Sequence, residues 1–183
     1  MLVCQDETWI NELHARTDYG YGKRGMRLKK ALKRLYNARS VGVLGATSVE
    51  GVLHDATFMT TNFLDHVVFQ KWFEEQLLPC CNAFPGKRSV IIIDSASFHD
   101  FPRLVSAAAA RGVFVVTFPP RCPNDNPIEL VWSMLDQQME VGGDKAFLRD
   151  PQAAILAAMH AIDSKHVRSC YEHCGLAIRS TDL

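Results

Sequence analysis

Val90-Ile-Ile-Ile-Asp94 constrains the fold more than any other stretch. Four consecutive apolar β-branched residues make a short strand that needs cover on both faces, so helices must flank the sheet that holds it. The run stops on a carboxylate, Asp94. Residues 113–118 read as a second fully buried strand. They lead into Pro119-Pro-Arg-Cys-Pro-Asn-Asp-Asn-Pro-Ile-Glu129, whose prolines hold the chain away from helix geometry until Ile128. Pro127 suits the first helical position with Asn126 as cap, which places Glu129 in a first helical turn. Thirty-four residues separate the two acids. Near the start, an apolar stretch over residues 2–5 ends on a third acid, Asp6.

The remaining pattern predicts the surroundings of these acids. Residues 9–15 read as a strand pairing back on 2–5, and 41–46 as another, with a hairpin turn at 49–52 leading into a strand over 53–58. Thr61 or Asn62 can cap a helix with Phe63, Val67, Val68, Trp72, Phe73, Leu77 and Leu78 on its apolar stripe. A helix over 99–111 closes at Gly112. The helix carrying Glu129 reaches about Met139 before a loop at Gly142-Gly143. Two more helices follow, one from Pro151 to about Ile162 and one starting at Ser164. Antiparallel strands followed by crossover units give an α/β fold, a mixed five-stranded sheet flanked by helices. Strand 90–93 is expected to lie parallel to 2–5 near the sheet centre, bringing Asp94 close to Asp6. A chain of 183 residues with 48% hydrophobic content supports a single buried core. The expected division is a catalytic domain over 1–140 and a helical extension over 141–183 packed on it.

Three close carboxylates repel one another, and at least one takes up a proton unless a cation intervenes. Hard oxygen donors suit Mg²⁺, with Mn²⁺ as substitute, and two such ions support in-line displacement at phosphate. Each acid also has a bland explanation: aspartate after a strand serves as a cap, and glutamate in a first helical turn is favoured by the dipole. Six cysteines lack a framework spacing and read as reduced thiols. His166, Cys170, His173 and Cys174 lie close together but lack paired C-x2-C zinc spacing. No apolar run reaches the roughly 20 residues that span a bilayer, and no signal-peptide pattern leads the chain, which points to an intracellular protein.

Taken together, Gln5-Asp6-Glu7-Thr8, Tyr19-Gly-Tyr-Gly-Lys-Arg-Gly25, Asp94-Ser-Ala-Ser-Phe-His99 and the proline turn through Glu129-Leu-Val-Trp132 resemble successive motifs of the Tc1/mariner and IS630 transposases. The resemblance covers roughly residues 1–140 and includes the 34-residue spacing of one subgroup. It implies a ribonuclease-H-like fold and a triad of Asp6, Asp94 and Glu129 holding two Mg²⁺ ions. It further implies cleavage of DNA strands and joining of 3′-hydroxyl ends to target DNA by a homodimer, nuclear in a eukaryote and cytoplasmic in a bacterium. Departures lie beside the site: Ser95 replaces the usual asparagine, and Arg121-Cys122 a tyrosine-serine pair. His99 matches the pattern, either at DNA or as a helix cap. The helix-turn-helix domains that read transposon ends in the family are expected to be absent.

Formal net charge is +0, so DNA contact must come from local clustering. Lys23, Arg24, Arg27, Lys29, Lys30, Lys33, Arg34 and Arg39 follow one another without an acid and would favour the phosphate backbone; a solvated ribbon and a nuclear-import signal are the other readings. Two other functions compete with the transposase: an inactive transposase-derived module that binds DNA or protein, and a different ribonuclease-H-like nuclease.

Overall fold

Leu2–Ile10 form one continuous strand, β1, against Val41–Ser48, β2. The computed structural model describes residues 1–15, 24, 40–94, 100–119 and 122–177. A strand that stops at Asp6, with a second over 9–15, is therefore corrected. Asp6, Glu7 and Thr8 remain in β1 because each faces a β2 residue, respectively Gly45, Leu44 and Val43. Ladder hydrogen bonds hold a polar residue as readily as an apolar one. After a turn, β3 (Gly51–Val52) and β4 (Phe58–Thr60) pair with opposite ends of β2.

Helix α1 (His66–Trp72) begins at Asp65, whose carboxylate accepts from the Val68 N–H at 2.9 Å. The expected start at Thr61 or Asn62 fails because the Thr60 hydroxyl takes the Asn62 N–H at 3.0 Å and turns the chain first. Phe63, placed on the apolar stripe by its spacing, is 90% exposed. The chain continues through a π-helical turn, Phe73–Leu77, which buries Phe73 and Leu77. Strand β5 (Val90–Ile93) runs parallel to β1, with Leu2 opposite Val90 and Cys4 opposite Ile92, as expected. Helix α2 (Phe101–Ala109) is capped by Asp100, and Gly112 turns the chain at φ +70°. Strand β6 (Phe114–Thr117) pairs parallel with β5. It is the sheet's edge, and Phe114 and Val116 are 55% and 44% exposed, so the expectation of full burial was wrong.

Helix α3 (Pro127–Arg149) has Asn126 as cap and Pro127 at its first position, as the sequence predicts. It does not stop near Met139. Gly143 alone leaves helical geometry, at φ 75° and ψ 162°, so the Gly142-Gly143 pair is a kink rather than a loop. Helices α4 (Pro151–His160) and α5 (Ser164–His173) follow, capped by Asp150 and Asp163. Among the described residues the sheet order is β3-β2-β1-β5-β6 with β4 also on β2, six strands rather than five. Two cores cover its faces. Val3, Leu44, Ile91 and Ile93 pack with Trp72, Phe73 and Leu104 from the α1–α2 layer. Cys4, Ile10, Val43 and Ile92 pack with Val131, Leu135, Ile155, Val167 and Tyr171 from α3 to α5.

Candidate active site

Strand alternation decides which acids can meet. Successive side chains point to opposite faces, so Asp6 shares the face of Cys4 and Ile10, the one covered by α3. Asp94 stands two residues beyond Ile92, which packs in that same core. Helix α3 crosses this face. Its positions 129 and 132 are one helical step apart on one side, so Glu129 and Trp132 arrive together. Asn126 ties the start of α3 to the sheet: its Nδ2 donates to the Gln5 carbonyl at 3.4 Å while its Oδ1 accepts from the Ile128 N–H at 3.4 Å. The cap of the helix carrying Glu129 is thus fastened one residue before Asp6.

The Trp132 indole donates from Nε1 to Asp6 Oδ2 at 3.2 Å. Its ring lies against Gly45, the residue facing Asp6 across the ladder. A Cβ at Gly45 would stand 2.6 Å from Trp132 Cη2, so the absence of a side chain there leaves the indole its room. The tryptophan was visible in the sequence only as a motif marker. Its role depends on a glycine far away in the chain, which spacing does not reveal.

The acids perturb one another's protonation. Burial first, then the charge of Glu129, push the Asp6 carboxyl up to about 7; Trp132 works against the shift and Asp94 adds to it. Glu129 is also raised, mainly by desolvation and further by Asp94, while its hydrogen bond with Asp6 opposes the rise. Glu7, which the sequence did not single out, is pushed up to about 7 by burial and then by Asp6 and Asp94. It lies on the opposite face of β1, and its Oε2 is buried without a partner among the described residues.

A cation fits this chemistry, since the donors are hard oxygens whose mutual repulsion it would relieve. Among the described residues, no three His, Cys, Asp or Glu side chains stand close enough to share one ion. Asp6, Glu129 and Asp94 nevertheless perturb one another's protonation. Of the basic stretch, Arg24 is described and exposed. Lys23, Arg27, Lys29, Lys30, Lys33, Arg34 and Arg39 lie outside the described residues, as do Ser95, His99 and Arg121. The cap of α2 is Asp100.

Residues 1–146 match the profile of the DDE superfamily endonucleases, and the chain belongs to that family. Among solved structures, its fold is similar to a pre-cleavage Mos1 transpososome, with TM-score 0.73 and 12% identity over 95% of this chain and 54% of that one. The Mos1 mariner paired end complex with Mn gives 0.72 and 11% over 95% and 53%. The catalytic domain of Mos1 mariner transposase gives 0.60 and 10% over 95% and 78%. The chain spans about half the length of the first two. The helix-flanked mixed sheet is thus the ribonuclease-H-like fold of transposase catalytic domains. No curated protein matches the sequence, and no helix among the described residues is long and apolar enough to cross a membrane.

Proposed function

We propose that the chain is the catalytic domain of a DNA transposase, cleaving DNA strands and joining 3′-hydroxyl ends to target DNA. The observation that carries this is the hydrogen bond from Trp132 to Asp6, which ties β1 to the helix whose first turn carries Glu129. Asp6, Asp94 and Glu129 are the residues that would hold the metal. Two Mg²⁺ ions, or Mn²⁺ in their place, would supply an activated oxygen nucleophile and charge neutralisation at the leaving oxygen. Trp132 occupies one Asp6 oxygen and so orients the other. The first-turn position of Glu129 sets the partial positive charge of the α3 N-terminus beside the acids, which tempers their repulsion. Lys23, Arg24, Arg27, Lys29, Lys30, Lys33 and Arg34 are the proposed contacts to DNA phosphates, with transposon ends and target as partners and a homodimer as the working assembly.

The test is nicking and strand transfer on supercoiled plasmid with Mg²⁺ or Mn²⁺. Asp94→Asn should reduce both to the level of a chelator control while leaving the far-UV spectrum unchanged. Robust cleavage by that variant, or cleavage that ignores chelation, contradicts the mechanism. A folded wild type that binds DNA and never cuts it would point to the inactive binding module instead.

A further inference from the structure

We propose that α5 braces the acidic site, with Tyr171 as a positioning residue that sets where Asp6 stands; this rests on reading Asp6 as a metal-holding acid. Tyr171 is fully buried, and its hydroxyl reaches the point where Cys4 of β1 faces Thr47 of β2. The hydroxyl donates to the Thr47 carbonyl at 2.6 Å and accepts from the Cys4 N–H at 3.2 Å, with the Thr47 hydroxyl also at 3.2 Å. A phenol has one proton to give and two lone pairs to receive, so its whole capacity is spent on these two strands. It joins β1 to β2 as a ladder bond would, two residues before Asp6. Cys4 and Asp6 share a face, so any shift of β1 at Cys4 is carried to the Asp6 carboxyl.

The end of α5 acts on the other half of the site. The Leu176 N–H donates to the Tyr171 carbonyl at 2.8 Å and the Gly175 N–H to Glu172 at 3.2 Å. Gly175 stands at φ +70°, the left-handed closure that locks a helix end. Within that closure, the Cys174 thiol donates to the Asn124 carbonyl at 3.5 Å. Asn124 lies in the turn Pro123–Asp125, immediately before the Asn126 cap of the helix that carries Glu129. One helix end therefore holds both the strand of Asp6 and the turn of Glu129. It does so from beyond residue 146, where the family match stops.

The Trp132 indole proton reports the position of Asp6 without any metal, because it donates to that carboxylate. In the full chain, Tyr171→Phe should move the Trp132 indole N–H resonance, identified with Trp132→Phe. It should also weaken Mn²⁺ binding in calorimetry by about tenfold, the lower end of what loss of an outer hydrogen-bond partner costs a metal site. Thr47→Val removes one of the three bonds at nearly constant shape, should move the resonance less, and carries the test if Tyr171→Phe does not fold. A lowered unfolding midpoint with an unmoved resonance and unchanged Mn²⁺ affinity would make Tyr171 merely structural and overturn the proposal, as would an unmoved resonance in Thr47→Val when Tyr171→Phe is unfolded. A wild type that fails to bind Mn²⁺, combined with a moved resonance in Tyr171→Phe, sinks the metal reading and supports the brace.

Discussion

Gly45 and Trp132 form a pair in which one residue matters for what it lacks. A methyl at position 45 would meet the indole at 2.6 Å, and the ring is held between the sheet and its own helix. Gly45→Ala is expected to cost about 1–3 kcal/mol through overpacking and to displace the indole from Asp6. Urea denaturation gives the first quantity, and combination with Trp132→Phe tests the second, because the two losses should then be far from additive. Additive losses would show that Gly45 does not act through Trp132. Asp6 itself yields a pH prediction for the metal-free protein. Its folded carboxyl titrates near 7 against an ordinary 3.8. Well below 3.8 both states are protonated and stability is full. As pH rises toward 7 the unfolded chain releases its proton first and stability is lost. Asp6→Asn should therefore stabilise the chelated protein at pH 8 and far less at pH 4. A rise from 3.8 to about 7 corresponds to about 4 kcal/mol, and solvent screening at this partly exposed carboxyl reduces the expected gain to about 2 kcal/mol.

Among the elements, α3 offers the sharpest contrast. Gly142 is helical with nothing within 4 Å of an added Cβ, whereas Gly143 has φ +75°. Gly142→Ala should stabilise by up to about 1 kcal/mol, and Gly143→Ala should destabilise because alanine disfavours that backbone. Thermal unfolding of the two variants checks both signs, and equal shifts would contradict the kink. The same pair explains why the helix was read short: two adjacent glycines look like a break, yet only one of them leaves the helix. Polar Asp6-Glu7-Thr8 similarly looked like the end of a strand, because pattern registers side chains while the ladder to β2 registers backbone. Strand β6 looked doubly buried because a β-branched run does not distinguish a central strand from an edge. The elements marked by chemistry rather than periodicity were legible. Asn126-Pro127 starts α3 where expected, and Val90–Ile93 lies parallel to β1 as its burial demanded.

Across the whole molecule, the core does not end where the family match ends. Phe147, Ile155, Met159, Val167 and Tyr171 are buried in one cluster with Cys4, Ile10 and Trp132. A chain cut after residue 146 should fail to show a cooperative urea transition, and a fragment as stable as the full chain would disprove the shared core. The acids proposed for the site stand out one by one in the sequence, because each follows an apolar run or a capped turn. Their support from Gly45, Trp132 and Tyr171 was not, since those contacts join positions remote in sequence. Calorimetric titration of Mn²⁺ into the full chain, beside Asp6→Asn and Glu129→Gln, tests the central claim most directly. The wild type should bind saturably with proton release near pH 7, and both variants should lose that binding. Absence of binding in the wild type, or binding of equal strength in all three, would contradict it.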